Sequence, residues 1–393
     1  MRLVDISEFF SDFGGGVRTY THQKLEACAK AGIEATIIAP GPSDRREKRL
    51  GGEIIWVRSP VLPLDHRYHL FADMRPVHAL LDALGPSVIE GSSTWRGGWI
   101  AARWRGSAAR ALFLHQDPVA VYPQSLFSPR ISADRIDRAF AWFWSYMRRL
   151  AGNFDATIAP SEVFARRLAR FGMPSTIACP LGVDKTEFDS DLRDLRLRRE
   201  MLAACGVADE NAALFISVGR HHPEKRLELL IEARRRLAAS RACGLYVIGD
   251  GPAWRSVRRA AARATGVFIA GIENDRHSLA RRLASADALV HGGAAETFGL
   301  VVAEALCSGL PVIVPDRGGA VDLAHPAYGE TYRYGRVDDL ADAMRRLVVR
   351  DREGLSVAAR AGAHRVRTPE QHFTALFGIY ASLEESVPLR RAA

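Results

Sequence analysis

Two glutamates, Glu296 and Glu304, stand eight residues apart in the stretch His291 to Pro315, HGGAAETFGLVVAEALCSGLPVIVP. That stretch holds a strand exit, a glycine turn, a helix start and a second strand. At about 3.6 residues per turn the spacing is a little over two turns, which predicts both carboxylates along one side of one ligand. Glu304 falls on the helix and Glu296 in the turn where Thr297, Phe298 and Gly299 open it. The helix N-terminus between them favours an anion such as a phosphate. One carboxylate is then left for the hydroxyls of a sugar and the other for a ribose, with phosphate between.

A second set of groups suits a diphosphate. Gly219-Arg220 ends the strand Leu214 to Val218, and Pro223-Glu224-Lys225-Arg226 begins a long amphipathic helix. Arg220 as a planar fork and Lys225 as a compact point charge can converge on one diphosphate. They would do there what magnesium does elsewhere. A basic helix start is otherwise disfavoured, because cations belong at the opposite end. Asp189-Ser190-Asp191 has the Asp-x-Asp form, but no strand precedes it and its spacing is read as chance.

In the first half, His115-Gln116-Asp117 leaves the C-terminal end of the strand Ala111 to Leu114, the edge of an open parallel sheet where ligands bind. Gly14-Gly15-Gly16 comes between the strand Leu3 to Ile6 and a helix from Val17 to Ala31. Thr19 stands where a dinucleotide fingerprint needs its third glycine, so a loop reaching the cleft is expected, with Arg18 beside it.

These groups are carried by strands alternating with helices. Further strands are expected at Glu34 to Ala39, Ile54 to Val57, Val88 to Glu90, Ala156 to Pro160, Thr176 to Cys179, Val267 to Ala270, Asp287 to Val290 and Pro311 to Val314. Ser161 should N-cap a helix, Val337 to Arg350 is a helix, and a final helix runs from about Glu370 to Glu385. Asp134 to Gly152 is predicted as one helix with Phe140, Trp142, Phe143, Trp144 and Tyr146. Five aromatics in seven residues cannot share one face. They either pack on the sheet or in part meet the cleft, a partner or a lipid surface.

With 393 residues the chain exceeds one ordinary core, and two domains of about 180 residues each are expected. No run reaches the roughly 18 apolar residues of a membrane span, and the N-terminus opens as a strand, so a cytoplasmic protein is expected. The five cysteines show neither metal spacing nor pairing. A net charge of +9 is compatible with an anionic membrane surface or a multiply charged substrate, while no nucleic-acid motif accompanies it.

GRHHPEKR at Gly219 to Arg226, VIGDGP at Val247 to Pro252, the Glu296 and Glu304 pair, GLPVI at Gly309 to Ile313 and Gly318-Gly319 follow in one order. In that order the chain resembles the retaining glycosyltransferases of family 4. The likeness is strong over residues 212–325 and looser before them, through Gly14 to Gly16, His115 and PLGVD at Pro180 to Asp184. It implies an α/β protein of the GT-B fold, two facing Rossmann-like domains with parallel sheets and an interdomain cleft. Residues 1–183 would form an acceptor-binding domain and 184–368 a nucleotide-sugar-binding domain, with 369–393 a C-terminal helix packing back on the first.

The resemblance further implies a nucleotide sugar as donor substrate, with no cofactor and no metal required. Catalytic roles fall to His115, Arg220, Lys225 and Glu296, with His115 contacting the transferred sugar and Glu296 its hydroxyls. Donor-binding roles fall to Gly15, Gly16, Gly219, Ile272, Thr297, Phe298, Gly299, Leu300 and Glu304, with Ile272 at the nucleobase edge and Glu304 on the ribose. No carboxylate is plainly placed as a covalent nucleophile, so attack on the departing face is expected, Glu296 alone reopening that question. Family frequency suggests a UDP-linked hexose or hexuronic acid, with GDP and ADP left open. The acceptor is expected to be a lipid or a glycan, with peripheral contact to an anionic membrane at its inner face and no nucleic-acid partner. The rival readings are a sugar-nucleotide epimerase or a phosphorylase of the same fold, and a non-catalytic protein that binds a nucleotide sugar or an anionic surface.

Overall fold

The computed structural model describes residues 1–11, 16–63, 66, 68–128 and 130–392, with side chains described as far as residue 386. The chain forms two compact units. Met1–His115, Ala141–Pro180 and Pro369–Ala393 make the first, and Gln116–Phe140 with Leu181–Thr368 the second.

The first unit is built on β1 (Arg2–Ile6), β2 (Glu34–Gly41), β3 (Arg45–Arg49), β4 (Gly52–Arg58), β5 (Val88–Gly91), β6 (Ala109–Phe113), β7 (Ala156–Ala159) and β8 (Thr176–Ala178), in the order β3-β4-β2-β1-β5-β6-β7-β8. All neighbours run parallel except β3, which pairs antiparallel with β4 at one edge. The charged run RREKR of β3 carries no apolar alternation, which is why sequence pattern misses it; an edge strand needs none. Ser161 caps the Glu162–Arg170 helix by accepting from the Phe164 amide.

The second unit is built on β9 (Ala213–Val218), β10 (Cys243–Ile248), β11 (Val267–Gly271), β12 (Ala288–Val290), β13 (Val312–Pro315) and β14 (Gly329–Tyr332). They form a parallel sheet in the order β11-β10-β9-β12-β13-β14. Short apolar runs suit strands covered on both faces. Alternate residues of β9 show this, Leu214 and Ile216 packing into one core and Ala213 and Phe215 into the other, as a side-chain period of two requires. The order reverses between β9 and β12, so the loops leaving those two strands open a crevice at the C-terminal edge of the sheet. All five cysteines are buried and unpaired with one another.

Two helices differ from expectation. Asp134 to Gly152 is not continuous; it is Ala133–Ala139 and Ala141–Ala151, broken at Phe140. The halves belong to different units, Ala133–Ala139 to the second and Ala141–Ala151 to the first. Ile136 and Asp137 turn inward in the earlier helix, Asp137 accepting from Gln124 Nε2 at 2.9 Å, whereas Phe143, Trp144, Met147 and Leu150 form the buried stripe of the later one. Trp144 stacks on Phe171 at 4.0 Å, while Trp142 is 66% exposed. Likewise the helix expected from Pro223 is a 3-10 turn, Pro223–Lys225, followed after Arg226 by the helix Leu227–Leu237. Arg226 has φ 50° and ψ 38°, a left-handed conformation that interrupts a right-handed helix.

A buried charge cluster holds the first unit. Asp5 and Glu90 are register partners on β1 and β5, and Lys24, fully buried on the Gly16–Ala31 helix, donates to Asp5 at 2.7 Å and Glu90 at 2.6 Å. Ser92 Oγ bonds both carboxylates, and Tyr380 on the Pro369–Ala392 helix donates to Glu90. Burial together with Glu90 pushes the Asp5 carboxyl up to about 6; the Lys24 ammonium overcomes burial at Glu90 and holds that group low. Lys24→Met would strand two carboxyls in the core, so about 3–5 kcal/mol of stability should be lost in urea denaturation. An unchanged midpoint would show that the cluster does not hold the unit.

Candidate active site

The loops that leave β9 and β12 carry Arg220, Lys225 and Glu296. After β9 the chain turns at Gly219, whose φ is 147°, and presents Arg220 exposed to solvent. Gly249 in the turn after β10 packs so closely that a Cβ there would lie 2.0 Å from the Gly219 carbonyl oxygen. After β12 come His291, the Gly292-Gly293 pair and Glu296. Glycine is required at Gly292, since a Cβ would lie 2.3 Å from the carbonyl oxygen of Lys225.

This close approach brings Lys225 and Glu296 together. The Lys225 ammonium forms an ion pair with Glu296 Oε1, the side chains being 17% and 23% exposed. Burial opposes both charges. The attraction of Glu296 nevertheless raises the Lys225 pKa, and Lys225 with His291 lowers that of Glu296. His291 Nε2 is buried without a hydrogen-bond partner, 3.9 Å from Glu296 Oε1. Burial, then the Lys225 charge, pushes His291 down to about 4, so the imidazole is neutral near pH 7.

Glu304 has a different setting. The helix is Leu300–Cys307, with Gly299 as N-cap at φ 95°, so Glu296 precedes the helix and the two-turn geometry does not apply. The ladder of helical bonds begins at Val302 N to Gly299 O, 2.9 Å, leaving the first-turn amides outside it. Glu304 lies one turn further in and is 6% exposed. Arg276 Nη2 is 3.5 Å from its Oε1 and also pairs with Glu187 at 2.8 Å. Burial pushes Glu304 up to about 7, Arg276 opposing and Glu187 assisting.

The remaining expected residues are placed as follows. The Phe298 ring belongs to the hydrophobic core, so only its backbone can serve a ligand. Thr297 is half-buried and Leu300 exposed. The turn that carries them is backed by Gly319, whose amide donates to the Glu296 carbonyl at 2.6 Å. Ile272 follows β11 and is 66% exposed. His115 and Gly16 belong to the first unit. His115 stacks on Phe113 at 4.3 Å with Tyr20 edge-on at 4.9 Å, and burial pushes its pKa down to about 3. Gly16 opens its helix; Gly15, with Phe13 and Gly14, lies outside the described residues. Asp189 of the Asp-x-Asp caps its own turn by accepting from the Asp191 amide.

Sequence reading did not single out His291, Arg276 or Glu187. Only His291 carried a local signal, standing between a strand and a glycine turn. Among the described residues no group of His, Cys, Asp and Glu side chains is gathered to hold a metal ion, and no helix is long and apolar enough to cross a membrane.

Comparison with known proteins gives the site its context. The family model Glycosyltransferase Family 4 matches residues 14–187, and Glycosyl transferases group 1 matches residues 203–362. A GDP-mannose-dependent alpha-mannosyltransferase of Mycobacterium tuberculosis is 33% identical over 369 residues, 92% of this chain and 91% of that protein. A GDP-mannose-dependent alpha-(1-6)-phosphatidylinositol dimannoside mannosyltransferase of the same species is 29% identical over 356 residues, 89% of this chain and 88% of that protein. Among solved structures, sucrose-phosphate synthase from Thermosynechococcus elongatus superposes with a TM-score of 0.77 at 19% identity, covering 98% of this chain and 99% of that one. HepE of Anabaena, in complex with UDP and glucose, gives 0.71 at 17% identity, covering 97% and 100%. The two sheets are accordingly those of the GT-B architecture, and the chain belongs to glycosyltransferase family 4.

Proposed function

We propose that this glycosyltransferase moves mannose from GDP-mannose to a lipid-linked acceptor with retention of configuration. The observation that carries the proposal is the Lys225–Glu296 pair at the switch of the second sheet, beside the exposed Arg220. It sets one cation and one carboxylate where a sugar diphosphate can exchange partners with them. GDP-mannose replaces the UDP-linked donor suggested by family frequency, because the relatives that align over nine-tenths of the chain bear that donor in their names.

In this reading Arg220 and Lys225 take the diphosphate, Glu296 accepts from sugar hydroxyls and Glu304 from the ribose. Charge develops on the bridging oxygen as the diphosphate leaves, and preorganised cations there favour the transition state over the ground state. The same two cations serve in place of a divalent metal. Glu296 is held by Lys225, which suits a hydroxyl acceptor better than a nucleophile, so the acceptor attacks on the face the phosphate leaves. His115 supplies a neutral imidazole to the transferred sugar.

The acceptor class rests on a surface of the second unit. Tyr122, Leu126, Phe127 and Ile131 are exposed apolar side chains within one short stretch, and Arg130, Arg135 and Arg138, in the same part of the chain, are exposed too. Exposed apolar anchors accompanied by exposed arginines suit an anionic lipid surface. This is the form in which peripheral membrane contact is proposed.

Donor turnover in EDTA, with GDP-mannose, UDP-glucose and ADP-glucose and with or without vesicles containing phosphatidylinositol, should release GDP preferentially and faster with vesicles. Preferential UDP release would overturn the donor, and indifference to lipid would move the acceptor to a soluble glycan. Arg220→Ala should lower kcat about 10²- to 10³-fold, and an unchanged kcat would remove Arg220 from the leaving group.

Glu304 supplies a pH test with two opposite signs. In the free protein its folded pKa is about 7 against 4.5 unperturbed. The protonated form is therefore favoured by folding, and this stabilisation, roughly 3 kcal/mol, is present below pH 4.5 and lost as pH rises through about 7. Donor binding to ionised Glu304 runs the other way, GDP affinity rising about tenfold between pH 6 and pH 8. Glu304→Gln should flatten both curves in calorimetry, and a wild-type slope persisting in the variant would free Glu304 of both roles.

A further inference from the structure

Arg226 is the single non-glycine residue with positive φ among the described residues. An L side chain persists in that conformation only where its surroundings over-determine it, and such residues gather at functional sites. The surroundings are explicit. Nε donates to the Tyr334 hydroxyl at 3.0 Å, and Nη2 donates to the carbonyl oxygens of Ser125, at 2.7 Å, and of Ser128. The guanidinium carbon also lies 5.5 Å from the centre of the Tyr334 ring.

The backbone consequence falls on Lys225. Because the chain turns left-handed at Arg226, Lys225 ends a separate turn instead of joining the Leu227–Leu237 helix, and its side chain is free to reach Glu296. Tyr334 extends the support to the other member of that pair. Its amide donates to Asp316 at 3.1 Å, and Arg317 stands 5.8 Å from its ring. The next residues, Gly318 and Gly319, back the Glu296 turn, a Cβ on Gly318 falling 3.2 Å from the Glu296 carbonyl oxygen.

Ser125 and Ser128 flank Leu126 and Phe127 of the exposed apolar face. The Arg226 fork therefore joins three things, the strand of chain that bears that face, the turn that ends in Lys225, and the Tyr334 support of the Glu296 turn. We infer that Arg226 is a positioning residue that couples the apolar acceptor-side segment Gln116–Phe140 to the Lys225–Glu296 pair. The inference rests on the reading that this segment meets the acceptor; the donor groups are the ones already described.

Backbone and fork are separable by substitution. Arg226→Gly keeps the left-handed turn without its strain and removes the fork. Arg226→Ala removes the fork and disfavours the turn, and Arg226→Lys keeps charge without the bidentate geometry. The measurements are GDP affinity, slow GDP release from GDP-mannose without acceptor, and mannosyl transfer to phosphatidylinositol vesicles. Arg226→Gly should hold GDP affinity and acceptor-free release within about twofold of wild type and lose about ten- to a hundredfold in transfer, in kcat and not in donor KM. Arg226→Lys should recover part of the transfer, Tyr334→Phe should show a milder form of the same split, and Arg226→Ala should also lose acceptor-free release.

Wild-type transfer in Arg226→Gly would overturn the coupling, leaving only the turn. Equal loss of release and transfer would also overturn it, making Arg226 a support of the donor groups alone. If the wild type transfers to a soluble mannoside in preference to vesicles, the lipid reading fails on the wild type. The ratio of transfer to release with that mannoside then decides the coupling by the same criteria.

Discussion

The Lys225–Glu296 ion pair is the interaction on which the rest of the second unit depends. Two groups of opposite charge, from loops after different strands, are brought together at the reversal of strand order and are largely withdrawn from solvent. Each satisfies the other, so the free chain carries no stranded charge there. A diphosphate and a sugar offer the same two kinds of partner. Lys225 can exchange a carboxylate for phosphate while Glu296 exchanges an ammonium for hydroxyls. That exchange needs Lys225 at the end of a short turn and Glu296 outside the following helix, and the structure provides both.

The same constraint separates the two glutamates of the motif. Glu296 is held ionised by a cation at its side, whereas burial raises Glu304 to about 7 with Arg276 shared between it and Glu187. Carboxyls whose environments push their pKa values apart do different work. Glu296 stays ionised across the neutral range, whereas Glu304 changes charge within it, which is the division of labour the proposed function uses. Eight residues of spacing convey none of this, because the difference arises from Lys225, His291 and Arg276, which reach the two positions through the fold.

What was legible in the sequence was the part written in local pattern. The alternating strands, the glycine turns and the capped helix at Ser161 follow from residues close in the chain, and so does the placing of Gly219, Arg220 and Glu296 at strand ends. Three features were illegible for one physical reason. The break at Phe140 falls where the chain passes from the second unit to the first. The turn at Arg226 is imposed by partners at Ser125, Ser128 and Tyr334. The raised Glu304 depends on Arg276, which opens its own helix behind an Asp275 cap. In each case helical periodicity was a true statement about side chains and an incomplete one about tertiary contact.

The first unit answers a related problem with buried charge. Asp5 and Glu90 face one another near the ends of central parallel strands, where two carboxyls would repel, and Lys24 stands between them. Tyr380 then joins the cluster from the last long helix, and His372 on that helix donates to the Pro180 carbonyl at 2.9 Å while its other nitrogen meets Tyr20 at 3.1 Å. Apolar packing could hold a helix on a sheet in several registers, because hydrophobic attraction is not directional. Hydrogen bonds from Tyr380 and His372 to fixed partners admit one. Tyr20 is the side chain that also meets the His115 ring, so the register of the C-terminal helix is transmitted to the imidazole assigned to the transferred sugar. The placement of that histidine is thus a property of the whole unit and not of the loop that carries it.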